Sequence, residues 1–207
     1  MLLSDGQIQE AVESGHLVIE PFSRDNLQPV SIDLRLYPEI RVAGRDPIRG
    51  MTLDPETLNI TDHINRYTDR VDISGVQMWR FEPGRFVIGQ TLETVEMPLD
   101  LAGRVEGRSR LARLGIGVHL TAPKIDPGFR NRITLEMYNL GPWTTELKGG
   151  MAICTLLIEP LGQPVQDAYD GMFQGSQTQQ KACFTALTRA YTAMPCPPTA
   201  AGPSGRR

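Results

Sequence analysis

Two short stretches of this chain carry side chains that could do chemistry. In Ile133-Thr134-Leu135-Glu136-Met137-Tyr138 the apolar Ile133, Leu135 and Met137 alternate with Thr134, Glu136 and Tyr138. Strand periodicity puts Glu136 on the face opposite the apolar three. A carboxylate held inside an apolar strand is poorly hydrated, which raises its pKa toward the range of a general acid/base. The same pattern also fits an ordinary surface glutamate pointing outward. The second stretch is Gly107-Arg108-Ser109-Arg110-Leu111-Ala112-Arg113-Leu114-Gly115. It predicts a helical turn or two, with Ser109 as N-cap and Gly115 as stop. Backbone N–H groups at a helix start, with Arg108, Arg110 and Arg113 nearby, suit a phosphate. A solvated arginine-rich turn is the alternative. Asp126 lies in a turn beside Pro127-Gly128, where an aspartate usually caps its own backbone. His119 alternates with apolar residues, the pattern of a hydrogen-bonded structural histidine.

Several other chemistries lack their residues. No two of Cys154, Cys183 and Cys196 are spaced to hold zinc, and none of His16, His63 and His119 stands two before a glutamate. The zinc site of a metal-dependent nucleobase deaminase is therefore not encoded. A Walker-type loop, a dinucleotide-binding glycine fingerprint and a Gly-x-Ser-x-Gly elbow are also missing.

The elements that must position these residues read mostly as strands. Ser4 and Gln7 predict a capping box, followed by Ile8, Ala11 and Val12 on one helical face and Gly15 as stop. Beyond it, Ile32, Leu34 and Leu36 alternate with Asp33 and Arg35. Ile116, Val118 and Leu120 alternate likewise. Phe86 to Leu92 and Met151 to Ile158 are apolar runs, the latter typical of a strand buried on both faces. Pro-Gly and Gly-Gly pairs punctuate these runs, which predicts a mainly β domain with a short N-terminal helix. Residues 1–170 read as that domain and 171–207 as a C-terminal segment, rich in Gln, then in Pro, Gly and Ala.

These residues and several separated segments resemble the dCTP deaminases of the dUTPase superfamily. The resemblance covers LLSDGQIQEAVESGHLVIEPF near the start, LQPVSIDLRL at 27–36, the block from Gly107 to Asn139, and KGGMAICTLLIEPL at 148–161. It implies a dUTPase-like distorted β-barrel or jelly-roll-like β-clip fold, and a homotrimer with active sites shared between subunits. It implies hydrolysis of the 4-amino group of dCTP to give dUTP and ammonia. The Mg2+ ion would be bound through the substrate triphosphate, with no zinc. By this resemblance Glu136 matches the catalytic glutamate, and Ser109 and Arg113 match the residues that assist it and bind substrate. Arg108 and Arg110 belong to the same phosphate-binding turn. Asp126 would hold the deoxyribose 3′-hydroxyl, and Phe129 would lie against the sugar. Leu120, Thr121 and Ala122 would read the base edge through their backbone. Thr134 shares the Glu136 face, and Tyr169 and Gln177 would lie near the phosphates as a closing arm.

Three positions depart from the family pattern. Arg110 replaces a serine, Pro123 stands where a histidine or glycine is usual, and no lysine occurs in Met172 to Gln177. Open alternatives are a bifunctional enzyme that carries dCTP to dUMP and pyrophosphate, a dUTPase, and a nucleotide-binding member without catalysis. The net charge of −3 over 207 residues argues against broad nucleic-acid binding. The polar start and the short apolar runs give no secretory leader and no membrane span. An odd cysteine count fits a reducing cytoplasm.

Overall fold

The computed structural model describes residues 1–44, 52–75, 78–171 and 174. Helix α1 (Asp5–Glu13) opens the chain. Ser4 accepts from the backbone of Gln7, whose side chain accepts from the Ser4 backbone, so the expected capping box forms. Ile8 is fully buried, and Gly15 follows with a φ of 75°, which a side chain would strain. Backbone bonds from Leu3 to the Ile158 carbonyl and from Asp5 to the Pro29 carbonyl pin this helix to the strands.

Thirteen strands follow among the described residues: β1 (Val18–Glu20), β2 (Leu27–Gln28), β3 (Ser31–Arg35), β4 (Glu39–Ala43), β5 (Thr68–Asp72), β6 (Trp79–Phe81), β7 (Phe86–Glu96), β8 (Leu101–Gly107), β9 (Ile116–Gly117), β10 (Lys124–Ile125), β11 (Arg130–Asn139), β12 (Thr145–Leu147) and β13 (Ala152–Pro160). Helix α2 (Ile60–Tyr67) precedes β5, and α3 (Ser109–Ala112) links β8 to β9. One sheet has the order β5-β4-β7-β11-β9, with β1 also on β7. A second has the order β10-β8-β13-β3-β2, and β12 pairs with β6 in a small ribbon. All the pairings between these strands are antiparallel. The chain is therefore mainly β with a short N-terminal helix, in two main sheets rather than a closed barrel among the described residues. None of the described helices is long and apolar enough to cross a membrane.

Both main sheets bury one core. Val87, Leu135 and Met137 from the first meet a cluster that includes Ile32, Leu34, Leu156 and Ile158 from the second, all nearly inaccessible to water. The alternation read along β3 and β11 is the cause, because each strand presents every second side chain inward. In β3, however, the polar residues are buried too: Asp33 is 7% exposed. Arg108 closes that face by pairing with Asp33.

Two expectations are corrected. Alternation at Ile116, Val118 and Leu120 predicts a longer strand, but only Ile116–Gly117 pairs, and 118–123 runs as an irregular segment tied by Val105 donating to the Pro123 carbonyl. The reason is a change of partner, since Lys124–Ile125 pairs with β8 in the other sheet. Ser109 is also not an N-cap. Arg108 holds that position with extended φ and ψ, and Ser109 is the first helical residue.

Candidate active site

Glu136 lies in the middle of β11, half-buried, between the fully buried Leu135 and Met137. On one side β11 pairs with β7, where Glu136 stands opposite Ile88. A bulge interrupts this ladder between Arg132 and Thr134. The Ile133 N–H freed there donates to the buried Thr91 hydroxyl at 2.9 Å, so the irregularity leaves no orphan. Burial pushes the Glu136 carboxyl above the usual carboxylate range, and the backbone and His119 pull it partly back.

His119 is the residue whose role the sequence alone did not disclose. β9 pairs with β11 on its other side, with Gly117 opposite Tyr138. The ladder ends there, and the irregular segment that follows brings His119 close enough for its charge to act on the Glu136 carboxyl. Its Nδ1 is buried and has no hydrogen-bond partner among the described residues. It is thus not the satisfied structural histidine its neighbours suggest. The Tyr138 ring lies on Gly117 so closely that a Cβ there would fall 2.1 Å from its Cζ.

The arginine turn is anchored at both ends. Leu111 is buried, whereas Ser109, Arg110 and Arg113 are exposed to solvent. Arg108 is half-buried and paired with Asp33 at 3.0 Å. After the helix, Gly115 turns the chain with a φ of 85°, and its carbonyl accepts from Leu140 N–H at 2.9 Å. A Cβ on Gly115 would come within 2.3 Å of the Gly141 nitrogen. This contact bolts the arginine turn to the end of the strand that carries Glu136. Gly115→Ala is expected to destabilise the fold by roughly 2 kcal/mol or more, from a left-handed side chain plus a backbone clash. Denaturant unfolding checks it, and the same variant should lose catalytic turnover.

A separate group gathers at the other end of β11. Asp126 and Phe129 share one turn, closed by Phe129 N–H to the Asp126 carbonyl at 3.1 Å. Asp126 Oδ1 meets Lys124 Nζ at 2.8 Å, which raises the lysine pKa. The Phe129 and Tyr169 rings are 6.2 Å apart, and Tyr169 N–H donates to the Pro127 carbonyl. Gln174 closes over this turn, its side-chain amide donating to the Gly128 carbonyl at 2.7 Å and accepting from Arg130 N–H at 3.0 Å. Leu120, Thr121 and Ala122 are exposed on the segment between the two groups, and Thr134 is exposed on β11. Gln177 lies outside the described residues. A half-buried carboxylate, a cationic turn and an aromatic turn can together move a proton, hold an anion and pack a small ring.

Comparisons with known proteins agree on one family. A family model described as dCTP deaminase-like matches residues 2–161. The chain is 37% identical over 172 residues to a dCTP deaminase of Shewanella amazonensis, covering 82% of this chain and 89% of that relative. It is 40% identical over 179 residues to a dUMP-forming dCTP deaminase of a Mycobacterium species, covering 86% and 90% respectively. The crystal structure of the 2′-deoxycytidine 5′-triphosphate deaminase from Agrobacterium tumefaciens aligns with a TM-score of 0.60 at 25% identity over 76% of this chain. This chain spans 47% of that protein's length.

Proposed function

The chain belongs to the dCTP deaminase-like family, and from that premise we propose that it hydrolyses the 4-amino group of the cytosine of dCTP, releasing dUTP and ammonia. The observation that carries this reading is Glu136, a half-buried carboxylate of raised pKa within electrostatic reach of His119. Water adding to C4 of cytosine gives its proton to the carboxylate. The ring nitrogen gains a proton, the C4–N bond then breaks, and the amine leaves as ammonia with a second proton. One carboxylate of raised pKa can receive and return these protons. The exposed Ser109 hydroxyl is available to orient the water or the developing oxyanion, and Arg113 to bind substrate beside it. Arg108 and Arg110 hold phosphate oxygens. Asp126 accepts from the 3′-hydroxyl, Phe129 packs on the sugar, and the backbone at 120–122 reads the base edge. Tyr169 completes the site, and Gln177 is assigned to the phosphates by the family resemblance alone.

Among the described residues no three His, Cys, Asp or Glu side chains are grouped for an ion. The donors of the arginine turn are cationic, so they fit a Mg2+ ion held by phosphate oxygens rather than by protein ligands. Bound there, it would neutralise part of the triphosphate charge. Compartment and assembly follow the family reading: a cytoplasmic homotrimer with shared sites. Mixing Glu136→Gln with Arg108→Ala subunits should give more turnover at low dCTP than the two variants give separately. Light scattering showing a monomer, or mixtures no more active than the two variants separately, would remove the shared site.

The dUMP-forming relatives favour a second reading, in which the same chain also cleaves the triphosphate to release pyrophosphate. The half-buried Asp126 is the residue available to orient that second water. Incubation with dCTP, dUTP and CTP in magnesium, with ammonia and pyrophosphate measured separately, tests both. Ammonia from dCTP without pyrophosphate supports the first reading, and both products support the second. Cleavage of dUTP with no ammonia from dCTP would sink the deaminase reading.

A further inference from the structure

Arg108 does not hang free at the entrance of the arginine turn. Its Nη2 lies 3.0 Å from Asp33 Oδ2, and its Nη1 donates to the Ala152 carbonyl at 3.2 Å. Those two acceptors sit on neighbouring strands, β3 and β13, while Arg108 itself follows β8 on the far side of β13. One guanidinium is therefore clamped across three strands. Asp33 is fixed in turn: Gln28 Nε2 donates to its Oδ2 at 3.3 Å, and Thr155 stands directly opposite it in the ladder.

We propose that Asp33 is a positioning residue of the phosphate site, holding the Arg108 guanidinium in the orientation that grips the nucleotide triphosphate. The proposal rests on the reading of Arg108 as a phosphate ligand. Of the five N–H donors of a guanidinium, two are engaged here and three remain. A side chain anchored through two nitrogens has little rotamer freedom left to lose when an anion arrives. A carboxylate this close to a polyanion site repels the ligand, and its own burial disfavours its charge, with Arg108 opposing that effect. Such a group weakens binding unless the orientation it imposes outweighs its repulsion. The Arg108 side chain remains 36% exposed, so an anion can reach it from solvent.

The test is steady-state kinetics with dCTP on the full chain and on Asp33→Asn, Arg108→Ala and the double variant, with folding checked by circular dichroism. Loss of a charge-assisted hydrogen bond should raise KM about ten-fold in Asp33→Asn with kcat nearly unchanged. Inhibition by inorganic triphosphate should weaken in parallel. Arg108→Ala should raise KM at least as much, and adding Asp33→Asn to it should change nothing further. A parental KM in folded Asp33→Asn makes the pair a mere staple between strands and overturns the proposal. A lowered KM makes it a latch and also overturns it. If Arg108→Ala keeps the parental KM, the phosphate reading of Arg108 fails and takes this proposal with it. An impaired Arg108→Ala beside an unimpaired Asp33→Asn overturns the positioning role alone. Should Asp33→Asn not fold, Asp33→Glu carries the same expectation, because one added methylene displaces the carboxylate while keeping its charge.

Discussion

Glu136→Gln should lower kcat for dCTP deamination by at least about 10²–10⁴-fold, the usual contribution of a positioned acid/base. The amide keeps the size and shape of the side chain but cannot accept water's proton. Binding of dCTP, read by calorimetry, should stay within a few-fold of the parent. Unimpaired turnover would remove Glu136 from the chemistry, and an inert parent that still binds dCTP would favour a non-catalytic member. The parent should also show an acid limb in kcat/KM above the usual glutamate range, because burial raises the Glu136 pKa and the free enzyme needs it ionised. Stability should move the other way. A carboxyl whose folded pKa is raised stabilises the fold below its unfolded pKa, and that contribution is lost as pH rises through the folded value. At neutral pH the ionised side chain therefore costs stability, and Glu136→Gln should unfold no earlier than the parent.

Glu93→Ala should destabilise the fold by about 3–5 kcal/mol, the cost of leaving a buried ion partner alone. Glu93 on β7 is 1% exposed. Its Oε1 accepts from Arg35 Nε at 2.7 Å and its Oε2 from the Arg35 backbone N–H at 2.8 Å. Removing the carboxylate strands a guanidinium that is itself only 13% exposed, and orphans a backbone donor. Glu93→Gln should cost less, because an amide oxygen still accepts one of these bonds. Urea unfolding at one fixed protein concentration checks both, since subunit association would otherwise shift the midpoint. A loss below about 1 kcal/mol for Glu93→Ala would mean that water reaches Arg35.

Features written in local pattern are legible from neighbouring residues alone. Ser4 and Gln7 are three residues apart, so the capping box they form needs no distant partner. Ile133, Leu135 and Met137 declare the buried face of β11, because pleating sends alternate side chains to opposite sides. Helix α2 (Ile60–Tyr67) goes unread although Ile60, Ile64 and Tyr67 share one helical face, because eight residues with none fully buried make a stripe too short to stand out among strands. The approach of His119 to Glu136 is hidden for another reason. The irregular segment after β9 folds His119 towards β11, and no periodicity encodes such packing. The same holds for Asp33 and Arg108. Alternation along β3 gives the direction of Asp33 but not its partner. Ser109 misleads as a cap because a strand running straight into a short helix makes Arg108 the half-turned residue instead.

The amide of Gln174 engages the Gly128 carbonyl and the Arg130 N–H, the two kinds of group that a neighbouring strand would bond. One side chain thus imitates a peptide unit and closes an otherwise open backbone edge. Chemical ageing can undo the imitation. Deamidation would swap the donating nitrogen for an anionic oxygen facing a carbonyl, turning an attraction into a repulsion. Protein kept warm and alkaline would then lose this fastening with its chain length unchanged, and a small mass increase at Gln174 would record when it happened.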